Sequence, residues 1–168
     1  MEALQDFERV IEEQAGESWS TMASDAIGRG SYREIYAFLW KDAEFNAADS
    51  GLIYIDRRDI FSREPFSVRF QTIEGYEFIL ASTHLIYGDS VDVREAEARA
   101  LADYQTWLAD SFSGIDVYLA GDFNLPRNNP AWRKLASTSA ALIVEGATTL
   151  STRDGRYANL YDNIWASK

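Results

Sequence analysis

The residues best suited to chemistry in this 168-residue chain gather at one strand end, in Asp116-Val117-Tyr118-Leu119-Ala120-Gly121-Asp122-Phe123-Asn124-Leu125-Pro126. A short apolar run, Val117 to Ala120, meets a glycine and then sets Asp122 and Asn124 two residues apart. In extended chain that spacing puts a carboxylate and an amide on one face and turns Phe123 the other way, into a core. An acceptor carboxylate beside an amide, presented where Pro126 closes the strand, suits a phosphate or a metal-bound water. The same residues also read as a strand followed by an Asx turn, because Asp and Asn favour turns for local reasons.

Three further groups stand at strand ends. His84, the one histidine of the chain, follows Leu80-Ala81-Ser82-Thr83. A lone histidine is often structural, but strand ends are where sites are commonly built, and a neighbouring carboxylate would fix its tautomer. Arg63, in Ser62-Arg63-Glu64-Pro65, offers a fork of donors that matches a phosphate, although an Arg-Glu pair at a strand start more often reads as solvated surface. Tyr161-Asp162-Asn163 sets an acid at a strand start, most simply as a turn.

The elements that must position these groups follow from periodicity. Residues 2 to 15 read as an amphipathic helix with Leu4, Phe7, Val10 and Ile11 on one side and Gly16 as its stop. Strands are expected at Trp19 to Ala23 and Tyr32 to Lys41, separated by a turn at Ile27-Gly28-Arg29-Gly30. In the second, Glu34, Tyr36, Phe38 and Trp40 alternate with Ile35, Ala37 and Leu39, which predicts cover on both sides. Gly51 to Asp56, Phe66 to Thr72 and Phe78 to His84 read as three more strands, the last two joined as a hairpin through Glu74-Gly75. Val93 to Ser111 is the clearest helix, with an apolar stripe of Ala96, Ala100, Leu101, Tyr104, Trp107 and Leu108 and a capping box from Asp92 and Glu95. A helix near Ala131 to Ser137, a strand near Ala140 to Val144 and an extended piece from Leu160 to Trp165 complete the chain. Hairpins with helices on strand faces imply a layered α/β sandwich in a single domain over residues 1–168.

Composition excludes several classes. A hydrophobic content of 46% with 14% aromatics is that of a folded protein and not of a disordered one. No cysteine is present, so neither a disulfide framework nor a thiolate metal site is available. No apolar run approaches membrane-spanning length, and the acidic start is the opposite of a basic signal peptide, so no membrane association is expected and the compartment stays open. A net charge of -11 argues against broad attraction to nucleic acid but leaves room for a local, metal-assisted contact.

Five motifs recur together and in one order: Tyr32-Arg33-Glu34-Ile35-Tyr36-Ala37-Phe38, Phe61-Ser62-Arg63-Glu64-Pro65-Phe66, Ala81-Ser82-Thr83-His84, Gly121-Asp122-Phe123-Asn124 and Tyr161-Asp162-Asn163-Ile164. On these residues the chain resembles the endonuclease/exonuclease/phosphatase superfamily, and within it most the deoxyribonuclease I-like branch. The resemblance implies a layered sandwich of mainly antiparallel sheets and metal-dependent hydrolysis of phosphodiesters. It implies that Glu34 hydrogen-bonds the catalytic histidine and that His84 is that histidine, a general acid or base and phosphate contact. By the same resemblance Arg63 grips the scissile-strand phosphate, Asp122 and Asn124 orient the attacking water and bind a phosphate oxygen, and Asp162 supports a second histidine. Asp122 and Glu34 are the candidate metal ligands. Mg²⁺ is the expected cation, with Mn²⁺ or Ca²⁺ as alternatives, because the available donors are hard oxygens and no softer cluster suggests zinc.

The pattern departs from the family at both ends. A strand carrying a metal-ligand glutamate before the opening helix, and a closing strand with an Asp-His pair, have no counterpart; Glu2 lies too near the helix start to replace the first. A terminally truncated domain with impaired catalysis is therefore expected, since such groups act as a unit. Exposed sheet edges, covered by self-association or a partner, are expected with it. Nucleic acid, DNA ahead of RNA, is the expected substrate. The competing readings are a non-catalytic remnant or engineered fragment serving as a binding or assembly module, and a lipid or inositol phosphatase of the same superfamily.

Overall fold

The computed structural model describes residues 2–88, 90–151 and 153–168. In chain order the elements are α1 (Glu2–Ala15), β1 (Trp19–Ala23), β2 (Ala37–Lys41), β3 (Phe45–Ala47), β4 (Leu52–Ile53), β5 (Phe66–Thr72), β6 (Glu77–His84), α2 (Val91–Ser111), β7 (Asp116–Asp122), a 3-10 turn (Pro130–Trp132) running into α3 (Arg133–Thr138), β8 (Ser139–Ala141), β9 (Thr149–Leu150), β10 (Tyr157–Asn159) and β11 (Asp162–Ser167). The main sheet has the order β3-β5-β6-β7-β11-β8, with β4 also paired to β5. Every pair in it is antiparallel except β6 with β7. A parallel pair needs a long crossover, and α2 supplies it.

Strand alternation divides the core in two. Ile79, Ala81, Val117, Leu119 and Trp165 face α2 and α3 and pack with Leu101, Tyr104, Leu108, Trp132 and Leu135. Each fully buried leucine there contributes roughly 1.5–3 kcal/mol. On the opposite face Phe66, Val68 and Phe70 pack against Ile27, Tyr36 and Phe38 from the segment around β2. The two strands β1 and β2 form their own antiparallel sheet over that face, and α1 lies outside it. Glu12 accepts the Trp19 N–H at 3.0 Å and Glu8 accepts the Thr21 hydroxyl, which fixes α1 on β1. The result is a layered α/β sandwich of mainly antiparallel sheets.

Gly121 decides how closely β6 and β7 approach. Its φ is +150°, and a Cβ at this position would lie 1.7 Å from the Thr83 carbonyl oxygen. No side chain fits there.

Several expected elements differ in extent. Tyr32 to Lys41 is not one strand: β2 is Ala37–Lys41, and the preceding residues bend through a single bridge between Ile27 and Glu34. Nor is the segment covered on both sides, since Tyr36 and Phe38 are buried while Ile35 and Ala37 are exposed. The strand expected from Gly51 to Asp56 shrinks to Leu52–Ile53, because the Asp56 carboxylate accepts the N–H groups of Arg58, Ile60 and Phe61 and turns the chain. The capping box is absent. Here α2 starts at Val91 with Ser90 as N-cap, Asp92 sits in the first turn where it complements the helix dipole, and Glu95 binds Arg99 and Asn129 instead. The apolar side of α1 is only partly used, with Phe7 and Val10 left exposed. Among the described residues no helix is long and apolar enough to cross a membrane.

Candidate active site

The parallel pair brings two strand ends together. His84, the last residue of β6, stands in register with Asp122, the last of β7, and β11 runs back along β7 so that its first residue, Asp162, also stands opposite Asp122. Partners directly opposite in a sheet share a face, so the three side chains project from the side on which β1 and β2 lie. Glu34, from the bend before β2, reaches this face, and its Oε2 is 2.8 Å from His84 Nδ1. On the far side of the ring, Asp122 Oδ2 is 4.0 Å from Nε2. With Glu34 ionised, Nδ1 donates to it and Nε2 keeps its lone pair towards Asp122 and the open side. The imidazole is 31% exposed, enough for a substrate atom to reach it.

Main-chain contacts hold this arrangement. Arg63, only 6% exposed, donates from Nε and Nη2 to the His84 carbonyl at 3.1 and 3.0 Å and from Nη2 to the Leu85 carbonyl at 3.2 Å. Its Nη1 lies 3.5 Å from Glu34 Oε1, and Tyr32 covers the guanidinium with its ring centroid 5.5 Å away. Two of the three guanidinium nitrogens are thus engaged by the loop after β6. The buried Tyr36 phenol accepts the His84 N–H at 3.1 Å, and burial pushes its pKa up to about 12.

Asn124 is buried with φ +48°, in the left-handed region that Asn tolerates. Its N–H donates to Asp122 Oδ1 at 2.9 Å, its amide to the Leu85 carbonyl at 2.8 Å, and its carbonyl accepts from Arg94 at 3.1 Å. The Asx turn and the candidate site are one structure. Burial raises the Asp122 pKa; the Asn124 N–H opposes this and the charge of Asp162 adds to it. Asp162 is tied locally, its N–H donating to Thr148 Oγ1 at 3.0 Å and its carboxylate accepting from Thr149 at 3.4 Å.

The structure therefore joins Glu34, Arg63, His84, Asp122 and Asn124 in one contact network, with Asp162 beside it through strand pairing. Sequence reasoning misses Tyr36, Arg94 and Glu97. The last is a fully buried carboxylate of α2 whose two oxygens accept the N–H groups of Ser62 and Ile86. Its signal was its spacing, since Glu97, Leu101, Tyr104 and Leu108 fall on one helix face.

Among the described residues no three His, Asp or Glu side chains are grouped to hold a metal ion. Both Glu34 oxygens already face cationic or donor groups, which leaves Asp122 as the carboxylate more open to one. Mg²⁺ commonly takes one or two protein carboxylates and completes its shell with water and substrate phosphate. The oxygen donors suit that mode and not a closed protein cage.

Over 162 residues the chain is 46% identical to a protein named deoxyribonuclease from Thioalkalivibrio sp., an alignment spanning 94% of this chain and 45% of that relative. It is 34% identical to human deoxyribonuclease-1 over 122 residues, 68% of this chain and 41% of the relative. The chain belongs to the endonuclease/exonuclease/phosphatase superfamily. Within the superfamily it falls in the deoxyribonuclease I-like branch. Its fold matches an endonuclease/exonuclease/phosphatase family protein from Bacteroides thetaiotaomicron with a TM-score of 0.68 at 12% identity, over 95% of this chain and 64% of that one. The human Nocturnin catalytic domain matches with a TM-score of 0.69 at 15% identity, over 96% and 64%. No family model matches the chain. This superfamily member spans less than half the length of the two deoxyribonucleases it matches.

Proposed function

We propose that this chain carries the site of a metal-dependent phosphodiesterase that hydrolyses nucleic acid, DNA in preference to RNA. The observation that supports it is His84 held between two carboxylates, with Glu34 2.8 Å from Nδ1 and Asp122 4.0 Å from Nε2 on the exposed side. Glu34 fixes the ring and its tautomer. Nε2 is then free to take a proton from water or, once protonated, to give one to the departing alkoxide oxygen. Asp122 orients the water, and Asn124 holds that carboxylate in place through its N–H. When bound, a divalent cation, Mg²⁺ by the hardness of the donors, supplies charge neutralisation at the phosphoryl oxygens. The names of the deoxyribonuclease relatives support DNA as substrate.

The competing reading is a scaffold without turnover that serves as a binding or assembly module.

Plasmid nicking by the purified chain, with Mg²⁺ and with EDTA, separates the two, alongside His84→Ala. The phosphodiesterase reading expects cation-dependent nicking that falls roughly 10²–10⁴-fold in the variant. Nicking retained by His84→Ala sinks that reading. No nicking from folded chain favours the scaffold. Parallel arms with RNA and with a phosphorylated inositol decide the substrate class.

A further inference from the structure

Glu97 lies in the middle of α2, 1% exposed, and the hydrolysis proposed above gives it no part. Its Oε1 accepts the Ser62 N–H and its Oε2 the Ile86 N–H, each at 2.5 Å. Ser62 immediately precedes Arg63, and Ile86 follows His84 by two residues. A single side chain therefore joins the loop that carries Arg63 to the loop that carries His84. Arg63 closes the same circuit from the other side through the His84 and Leu85 carbonyls, and the Asn124 amide adds a second donor at Leu85.

The chemistry requires a carboxylate. Two converging N–H donors need an acceptor on each oxygen, which only an ionised carboxyl offers; a carboxamide would turn its own NH₂ towards one of them. A carboxylate out of water is costly unless its oxygens are hydrogen-bonded, and both oxygens of Glu97 are. The group sits in the apolar stripe, where a hydrocarbon side chain would pack against the core but leave both N–H groups without an acceptor.

We infer that Glu97 is a positioning residue, a buried strap that fixes the main chain of the Arg63 and His84 loops relative to one another and so sets where both side chains stand. This rests on the reading of His84 as the reacting histidine.

The test uses the full chain and Glu97→Gln, which keeps the volume and removes one acceptor. Amide hydrogen exchange and the ring resonances of His84, unambiguous because the chain has one histidine, are followed by NMR. In the native protein the Ser62 and Ile86 amides, which lie outside helices and strands, are protected. In Glu97→Gln at least one exchanges roughly tenfold faster or more, and the His84 ring signals move. Where nicking is present, kcat falls about 10- to 100-fold with a smaller change in KM. Unprotected Ser62 and Ile86 amides in the native protein overturn the inference, and so does a folded Glu97→Gln with unchanged exchange and unchanged His84 signals. If the variant does not fold, the native exchange measurement decides. None of the NMR readouts needs turnover, so an inactive chain with an intact strap counts against the phosphodiesterase reading alone.

Discussion

Gly121→Ala tests the closest approach in the sheet. The added Cβ would lie 1.7 Å from the Thr83 carbonyl oxygen, 2.9 Å from the Thr83 carbonyl carbon and 3.2 Å from the Thr83 nitrogen, all of them main chain, and Cβ contacts essentially never fall under 3.0 Å. A flexible side chain could swing away, but these are main-chain atoms of Thr83, which is paired with Gly121 in the β6–β7 ladder one residue beyond the last β5 pair, Phe66 with Ser82. Relief must come from separating β6 and β7, or from moving residue 121 off a φ of +150° that alanine resists. Overpacking costs about 1–3 kcal/mol and a disfavoured backbone conformation about the same again, so a loss of roughly 2–6 kcal/mol is expected. At about 2–4 °C per kcal/mol for a chain of this size, the melting temperature should fall by roughly 5–20 °C. The His84 and Asp122 pairing is one residue further along the same ladder, so nicking should fall with it, including at temperatures where the variant is still folded. Calorimetry or circular dichroism gives the first quantity and the plasmid assay the second. A variant melting within 2–3 °C of the parent, about the effect of 1 kcal/mol, would refute the steric reasoning.

Asp122→Asn should stabilise the fold near neutral pH while lowering nicking by roughly 10²-fold or more. Burial raises the Asp122 pKa above its unfolded value, so the folded state holds the proton longer and stability falls as pH rises from the unfolded to the folded pKa. The neutral amide escapes that loss, and its advantage should vanish below the unfolded carboxylate pKa; a melting-temperature difference independent of pH would contradict this. Arg63→Lys separates positioning from phosphate binding. A lysine cannot reproduce the fork that reaches two carbonyls and faces Glu34, so the melting temperature should drop by roughly 5 °C or more, from the loss of charge-assisted bonds worth about 1.5–3 kcal/mol each. An unchanged melting temperature with only a raised KM would mean that Arg63 acts on substrate alone.

Much of the frame was legible because alternation and helical spacing report burial directly. The strands β5, β6 and β7 and the helix between the last two follow from such patterns. Asp122 and Asn124, however, do not share a face of extended chain as expected, because β7 ends at Asp122 and the Asx turn takes Asn124 into the left-handed region. What stayed hidden depends on partners distant in sequence. Nothing in Ser62-Arg63-Glu64-Pro65 shows that the guanidinium will close on the His84 and Leu85 carbonyls, because main-chain acceptors carry no sequence signature. Tyr36 reads as one more aromatic in an alternating stretch, although its phenol receives the His84 N–H. Glu97 was masked by its charged neighbours Arg94, Glu95 and Arg99, which make that part of α2 look solvated. The bend from Tyr32 to Tyr36 was misjudged for a related reason. Alternation there is genuine, but the segment lifts off its ladder to carry Glu34 to His84.

The site sits where the topology is exceptional. In an antiparallel pair a strand end lies beside a strand start, so the loops that follow two neighbouring strands emerge at opposite edges of the sheet. Among the described residues only β6 and β7 run parallel in the main sheet, and only there do two outgoing segments leave side by side, one after His84 and the other after Asp122. Those loops supply the Leu85 carbonyl and Asn124, while the strand ends supply His84 and Asp122. The antiparallel return of β11 then adds the start of a third strand, with Asp162, to the same edge. The crossover that makes the parallel pair possible is α2, the helix that carries Glu97. One element thus both creates the convergence of strand ends and, through a buried carboxylate, ties the resulting loops together. Perturbations inside α2 should therefore reach the site more readily than perturbations of equal thermodynamic size in α1, which lies on the far side of the two-stranded sheet.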